Sequence, residues 1–386
     1  MKFAHLADCH LGSWRVPELQ KLNLESFQRA IQICIQEKVD FVLIAGDLFD
    51  TAYPNIDILE STFTEFKKLH DAGIHCYLCP GSHDYSVSGK TFLNVLEKIG
   101  YCTNIANFDE KDGKIILKPT LIKDIAFYGY PGKKSGLEIE DLKRVIIEPI
   151  NNKFTILILH TALAGVEQNL PNTINIEELP KADYIAMGHL HKIWQKNNII
   201  YPGPIFPNNF QELEELKHGT FFIVHLLDKK ILPKKIDINI KEVETLSIEI
   251  DNAIEAETKI KKEIEKINIK EKILLLRIYG KLKQGKTSDI DFSSIENFCK
   301  EKGCFLILKN ISKLEIENFI EPELEEKENI FDFERHIIEK CTNKDKTKFD
   351  CLIENILSSL DTEIKEGETI LNFESRLYNT FKKIIK

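Results

Sequence analysis

Side chains of metal-binding and acid–base types occur at five places in the first half of the chain, each at the end of a short apolar run. Carboxylate and imidazole together suit Mn, Fe or Zn better than Ca or Mg. The ordered set therefore predicts one metal centre assembled from distant parts of the sequence. The candidates, including the serine that lies inside one of the motifs, are Asp8, His10, Asp47, Ser82, His83, His160, His189 and His191.

Two metal ions fit this number of ligands better than one. Two metals about 3.5–4 Å apart activate a bridging water and stabilise both oxygens of an in-line phosphoryl displacement. His83 would lie beside the pair, where it can hold the phosphate and protonate the leaving oxygen. The other candidates divide into Asp8, His10 and His191 for one metal, His160 and His189 for the second, and Asp47 as a bridge.

No single motif carries this interpretation. His5 and His225 lie within apolar runs and are expected in the core. His189 and His191 are two residues apart on a strand-like segment, so their side chains point to the same side. The order Asp-x-His, Gly-Asp, Gly-x-His-Asp, His and Gly-His-x-His is what favours a functional site over chance.

The apolar runs that precede these residues predict the elements that position them. Short β-rich runs bounded by glycine are typical of buried strands. In open α/β sheets, ligands gather beyond the carboxyl ends of the strands. Strand–helix alternation followed by hairpin-like β segments predicts an α/β fold with two facing sheets flanked by helices. The runs are Phe3 to Ala7, Phe41 to Ala45, Ile74 to Cys79, Phe154 to Leu159 and Ala182 to Met187.

The length of 386 residues favours two or three domains. Lys229 to Lys235 is a basic, proline-containing junction, and the run from Glu321 to Glu328 is an acidic, solvated linker. The last part is helical with apolar stripes, which need a partner protein or self-packing to be buried. The predicted regions are 1–228 for the main domain, 236–311 for a small α+β module, 312–330 for the linker and 331–386 for the helical region.

Composition limits the class of protein. The chain is 43% hydrophobic, and its apolar runs are too short to predict a membrane span. Nine scattered cysteines favour free buried thiols in a reducing compartment. The net charge of −9 by itself argues against nucleic-acid binding, but bound divalent metals reverse the local potential.

The motifs resemble the calcineurin-like metallophosphoesterase superfamily, and within it the SbcD (Mre-eleven) family of DNA double-strand-break repair nucleases. The resemblance covers residues 1–228; the module and the helical region match by layout. It rests on Phe3 to Gly12, Ala45 to Asp50, Gly188 to His191, and Tyr201 to Pro204.

The resemblance implies a four-layer sandwich and two Mn ions per chain that hydrolyse DNA phosphodiesters. The implied activities are 3′-to-5′ exonuclease on duplexes and endonuclease on single strands. It also implies a homodimer joined through nuclease-domain helices, a module that caps the site and touches DNA, and C-terminal helices that dock on an SbcC-type coiled-coil ATPase. The implied location is the cytoplasm, near the nucleoid, or the nucleus in a eukaryote.

Two positions depart from the family pattern. Ser82 stands where the family usually has a metal-binding Asn, and its shorter hydroxyl predicts a weak second metal and reduced nuclease activity. Asp50 stands where many relatives have a His, and it would either repel phosphate or recruit a metal-bound water. Two alternatives stay open: a small-molecule phosphodiesterase or phosphatase, and a catalytically silenced DNA-tethering scaffold.

Overall fold

The computed structural model describes residues 1–84, 90–148, 150–168, 170–227, 230–316 and 370–385. The chain divides into two compact units, Met1–Ile316 and Glu317–Lys386. In the second unit the described residues form one helix, α8, Ile370–Ile385. The acidic run from Glu321 to Glu328 and the apolar stripe from Phe349 to Leu360 lie outside the described residues.

The first large sheet contains the apolar runs that precede the first three motifs. Its central strands are mostly apolar and almost fully buried, as is usual for parallel strands covered on both faces. The strand order is β15-β14-β1-β2-β3-β4, with β1 to β4 parallel and β14 and β15 antiparallel. The strands are β1 Lys2–Leu6, β2 Phe41–Ala45, β3 His75–Cys79, β4 Cys102–Asn104, β14 Gly219–Leu227 and β15 Lys230–Ile238.

The second large sheet contains the other two motifs. Its order is β12-β13-β11-β10-β8-β7, with four parallel central strands and antiparallel strands at both edges. The strands are β7 Thr120–Ile122, β8 Ile125–Tyr130, β10 Phe154–His160, β11 Tyr184–Gly188, β12 Ile193–Lys196 and β13 Ile199–Pro202. His160 pairs with Gly188 at the ends of β10 and β11, which brings these two motifs side by side.

The two large sheets face each other across an aromatic core. The rings of Tyr77 in the first sheet and Phe127 in the second are stacked with centroids 4.3 Å apart, and Phe41 meets the same Phe127 edge-on at 5.4 Å. Each such ring buries on the order of 150–250 Å² and favours stacked or edge-on contacts. This core holds the carboxyl ends of both sets of strands at one end of the sandwich.

Two outer layers complete the sandwich. Helices α1 Pro17–Gln36, α2 Ile56–Asp71 and α3 Phe92–Lys98 pack on the first sheet. The second sheet is covered by the short helix α4 Glu138–Leu142 and by a three-stranded sheet of β5 Phe108–Lys111, β6 Lys114–Leu117 and β9 Val145–Ile147. The predicted α/β four-layer sandwich is confirmed, and one outer layer is built mainly from strands.

The small module alternates strands and helices. It consists of β16 Val243–Glu249, α6 Ala253–Ile264, β17 Ile273–Leu282, α7 Phe292–Glu301 and β18 Leu306–Ile316, and its three strands are parallel. Both helices pack on one face of this sheet. On the other face, Ile273 and Leu275 pack against Leu19 and against Leu213 in helix α5, Phe210–Leu216. The module is therefore joined to the sandwich by an apolar interface.

Two predicted boundaries differ from the structure. Residues 230–235, predicted as a junction, lie in β15, which pairs with β14 and extends the first sheet to Ile238. Pro233 is tolerated there because β15 is an edge strand, where one side of the backbone needs no ladder partner. Residues 312–316, predicted as linker, are the end of β18. The division of function among the regions stays a prediction.

The prediction of free, buried thiols is confirmed for the described part of the chain. The seven cysteines found there are buried and free. Burial raises the pKa of the Cys34 and Cys79 thiols well above their usual value, so these thiols stay protonated. No helix among the described residues is long and apolar enough to cross a membrane.

Candidate metal centre

The structure brings the predicted residues together at the carboxyl ends of the central strands of both sheets. Each residue follows or ends a strand, as expected for a site at the open end of parallel sheets. The elements and residues are β1 with Asp8 and His10, β2 with Asp47, β3 with Ser82 and His83, β10 with His160, and β11 with His189 and His191.

Four of the candidates have left-handed backbone conformations. The φ angles are 49° at Asp8, 40° at His10, 47° at Asp47 and 94° at His189. Such residues cost about 1–3 kcal/mol each and persist where surrounding structure holds them. Here the loops hold one another: His10 N–H donates to the Asp47 carbonyl at 2.9 Å, and His189 N–H donates to Asp8 Oδ1 at 2.8 Å. Strain of this kind is concentrated at functional sites.

Two motif glycines make room for the candidate ligands. A β-carbon added to Gly46 would lie 1.9 Å from His160 Nδ1, and Gly46 itself has a φ of 82°. A β-carbon added to Gly81 would lie 2.1 Å from Asp47 Oδ1. Both distances are far shorter than any van der Waals contact, so only glycine fits at these positions. Gly46 lets His160 of the second sheet approach the first sheet, and Gly81 lets the loops after β2 and β3 meet.

Asp8, His10 and His191 form a donor group whose ligand atoms lie within 4.8 Å of one another. The Nε2 atoms of His10 and His191 are 3.1 Å apart. Two nitrogens bound at right angles to one metal at about 2.0–2.1 Å are separated by ~3 Å. Asp8 Oδ2 is buried without a hydrogen-bond partner, which is costly unless a cation satisfies it. This group fits a divalent metal ion.

Asp8, Asp47 and His160 form a second group within the same distance limit. Asp47 Oδ2 lies 3.1 Å from His160 Nε2 and 3.5 Å from His10 Nε2, so this oxygen stands between the two groups as a bridging ligand must. His160 Nδ1 is 3.1 Å from the Ala45 carbonyl oxygen, which leaves Nε2 for a metal. The ring of His189 is 5.1 Å from that of His160, centroid to centroid.

The buried carboxylates and imidazoles of the site shift one another's pKa values. Burial alone would raise the pKa of Asp47, but His160 and His10 hold the pKa below its usual range. Burial alone would lower the pKa of His160, but Asp47 and Asp8 raise it to about 10, so without a metal this ring carries a proton between the carboxylates. Burial lowers the pKa of His189 to about 4, which keeps that ring neutral. To hold a metal through Nε2, His160 would have to give up this proton.

Ser82 and His83 lie on the β3 side of the site. The Ser82 hydroxyl donates to Asp47 Oδ2 at 3.4 Å, and the backbone N–H of His83 donates to Asp47 Oδ1 at 2.8 Å. The His83 side chain is 47% exposed, and its Nδ1 is 2.8 Å from the Asp50 carbonyl oxygen. Nε2 of His83 is therefore available to a substrate on the open side, as a general acid requires.

Three carboxylates matter more than the sequence indicated. Asp84, buried at the end of the Gly-x-His-Asp motif, accepts backbone N–H donors from Leu48, Phe49 and Gly81 and so fastens two loops together. Asp50 Oδ1 is 3.2 Å from His10 Nδ1, and Glu212 Oε1 is 3.0 Å from His191 Nδ1. Motif spacing could have indicated Asp84. Glu212 lies on the charged helix α5 with no local signal of its role.

Residues 1–193, which include all the candidate ligands, match the calcineurin-like phosphoesterase family. The chain belongs to this family. The predicted resemblance to its SbcD (Mre-eleven) members is also confirmed, because curated proteins with those names are similar to this chain. The DNA double-strand break repair protein Mre11 of Methanocaldococcus jannaschii is 27% identical over 77% of this chain and 77% of its own length.

Two further relatives have related names. The SbcD component of the nuclease SbcCD from Staphylococcus epidermidis is 27% identical, over 68% of this chain and 76% of its own length. The Mre11 protein of Saccharolobus solfataricus is 30% identical over 50% of each chain. The matches thus span between half and about three quarters of these relatives.

The arrangement suits hydrolysis of a phosphate ester. When bound, two divalent ions supply Lewis acidity to the phosphate and lower the pKa of a water. Asp47 lies between the two donor groups, and the left-handed loops hold Asp8 and His10 in place before any ligand arrives. His83, at the exposed side, can hold the phosphate and pass a proton to the leaving oxygen.

Proposed function

We propose that this chain is a Mn-dependent, two-metal DNA nuclease and the nuclease subunit of a double-strand-break repair complex. Its activities would be 3′-to-5′ exonuclease on duplex DNA and endonuclease on single strands. The observation that carries the proposal is the pair of donor groups that share Asp8 and meet at Asp47. The names of the relatives, which are repair proteins and nuclease components, support DNA as the substrate.

Ser82 is proposed to weaken the second metal. Its hydroxyl hydrogen-bonds to Asp47, a carboxylate oxygen that the second metal also needs. A neutral hydroxyl is a poorer ligand for Mn or Zn than the amide oxygen of the Asn that the family usually has, and it reaches less far. The chain would then bind one ion well, bind the second weakly, and cut DNA slowly.

The proposed protein partners are a second copy of this chain and an SbcC-type coiled-coil ATPase. We propose that the homodimer is joined through nuclease-domain helices, on which Ile56 of α2 and Val95 of α3 are exposed apolar residues. Helix α8 includes Phe373 and Leu377 at i, i+4 spacing, which favours docking of one apolar face on the ATPase. The small module, residues 236–311, is proposed to cap the metal centre and to contact DNA.

The proposal is tested with three substrates and one disabled variant. Labelled duplex DNA, a labelled single strand and a small aryl phosphodiester are each incubated with metal-free protein and then with Mn. We expect slow Mn-dependent cleavage of both DNAs, abolished by Asp47→Asn. Cleavage of the aryl ester alone would favour a small-molecule phosphodiesterase. DNA binding with no cleavage, even by Ser82→Asn, would favour a tethering scaffold.

A further inference from the structure

Both imidazoles of the first donor group are held from behind by a carboxylate. His10 Nδ1 is 3.2 Å from Asp50 Oδ1, and His191 Nδ1 is 3.0 Å from Glu212 Oε1. On the opposite sides of the two rings, the Nε2 atoms are 3.1 Å apart. The two carboxylates come from different parts of the chain, one from the loop after β2 and the other from helix α5.

The second donor group is supported differently. His160 directs Nδ1 at the backbone carbonyl of Ala45, a neutral acceptor, at 3.1 Å. Ser82 offers this group only a hydroxyl, and that hydroxyl hydrogen-bonds to Asp47. The two groups therefore differ in the charge placed behind their imidazoles as well as in their direct ligands.

A carboxylate behind an imidazole has two effects on a metal at the other nitrogen. It accepts the Nδ1 proton, so the lone pair stays on Nε2, and it makes that nitrogen more basic. Loss of such a partner typically lowers metal affinity by about 10–100-fold. A neutral carbonyl fixes the same tautomer but adds less basicity, because it carries no full charge.

Glu212 is built into its place. Its side chain is 19% exposed, and the backbone N–H of Asn208 donates to its Oε2 at 2.9 Å. Asp50 is 30% exposed, and its carbonyl oxygen also binds His83 Nδ1.

We propose that Asp50 and Glu212 are positioning residues that make the first metal site the tighter of the two, so that metals bind in a fixed order. This inference rests on the two-metal function proposed above. It also gives Asp50 a role, which the sequence left open. The Asp50 carboxylate would position the imidazole of His10 from the side opposite the metal. Position 50 then strengthens the first site while position 82 weakens the second.

The test is a titration of metal-free protein with Mn. Binding is measured by calorimetry and, in parallel, by Mn electron paramagnetic resonance. Wild type is expected to bind one tight ion and one weaker ion. Asp50→Asn and Glu212→Gln each lower the affinity for the tight ion by about 10–100-fold and leave circular dichroism in EDTA unchanged. Matched controls are Glu215→Gln, on the same helix but paired with Lys192, and Asp124→Asn, an exposed partner of Lys153. Both controls keep wild-type affinity.

A pulsed resonance measurement of nitrogen coupling to Mn gives a readout that a general loss of stability does not change. Wild type with one equivalent of Mn should show coupling to two imidazole nitrogens, those of His10 and His191. In Asp50→Asn and in Glu212→Gln, the coupling to one of these nitrogens should be weakened or altered. Equal first-ion affinity in wild type and both variants overturns the inference. If wild type binds no Mn, the proposed metal centre itself is wrong. Because this result is seen with wild type alone, it is distinguished from a failure of the inference about Asp50 and Glu212.

Discussion

At the scale of single residues, Gly46 decides whether His160 can reach the metal centre. Its φ of 82° is unfavourable for any side chain, and an added β-carbon would collide with the imidazole. We expect Gly46→Ala to lower the free energy of unfolding by about 2–5 kcal/mol, from backbone strain plus overpacking. Mn affinity, measured by calorimetry, should also fall because His160 is displaced.

Gly100 provides a matched control for that substitution. Its φ is 83°, yet a β-carbon there would meet nothing within 4 Å. Gly100→Ala should therefore cost only the backbone strain, about 1–2 kcal/mol, and leave Mn binding intact. If Gly46→Ala bound Mn as tightly as wild type, the close approach of His160 to Gly46 would not be needed for metal binding.

His5 gives the fold a pH dependence that is separate from the metal centre. Its Nδ1 lies 2.8 Å from the Tyr184 hydroxyl, and burial lowers its pKa to about 3 from 6.5. Between pH 6.5 and pH 3, His5 therefore binds a proton in the unfolded chain but not in the folded chain. The free energy of unfolding consequently falls as the pH falls from 6.5 towards 3. The carboxylates and metal ligands titrate in the same way in wild type and in a His5 variant. Comparing the two proteins therefore isolates the contribution of His5 to the pH dependence.

We predict that wild type loses about 2–3 kcal/mol more unfolding free energy than His5→Gln between pH 6.5 and pH 4.5. The measurement is urea denaturation in EDTA at several pH values. Parallel pH profiles for the two proteins would mean that His5 is protonated without cost in the folded state.

At the scale of elements, helix α5 connects the metal centre with the small module. Glu212 binds His191, while Glu214 two residues later accepts both guanidinium hydrogen bonds from Arg277 in β17. The same guanidinium lies 5.3 Å from the centre of the Phe210 ring. One seven-residue helix thus holds a candidate ligand on one side and the module on the other.

The pair of Arg277 and Glu214 should contribute to stability because it is partly buried and two-pronged. We expect Arg277→Gln to lower the unfolding free energy by about 2 kcal/mol. Lys283→Gln, which breaks an exposed pair with Asp251 in the same module, should cost close to nothing. Urea denaturation of both variants checks this, and equal small losses would contradict it.

Sequence patterns predicted the strands correctly where a pattern is typical of only one kind of structure. Apolar runs closed by Gly-Asp or Gly-His gave the correct strands, because a buried parallel strand needs such a run. Lys230 to Lys235 was misjudged because an edge strand tolerates lysine and proline, which also occur in linkers. Glu212 was not predicted, since its contact with His191 depends on how α5 packs and no local spacing encodes it.

At the scale of the whole molecule, two sheets that face each other place ligands from both halves of the domain within a few ångströms. The first sheet provides Asp8 and Asp47, and the second provides His160 and the pair after β11. The order of motifs was enough to predict this convergence, because parallel strands present their carboxyl ends at one edge. The pairing of β14 beside β1 depends on long-range contacts and was beyond local patterns.

The most direct test of a two-metal nuclease weakened at position 82 is Mn-dependent cleavage of a labelled DNA duplex by wild type and Ser82→Asn. We predict that the Asn variant cuts at least about tenfold faster, as expected when a ligand worth about 1.4 kcal/mol or more is restored at the second metal. Equal rates for the two proteins would mean that position 82 is not a metal ligand, and they would contradict the assignment of the second site.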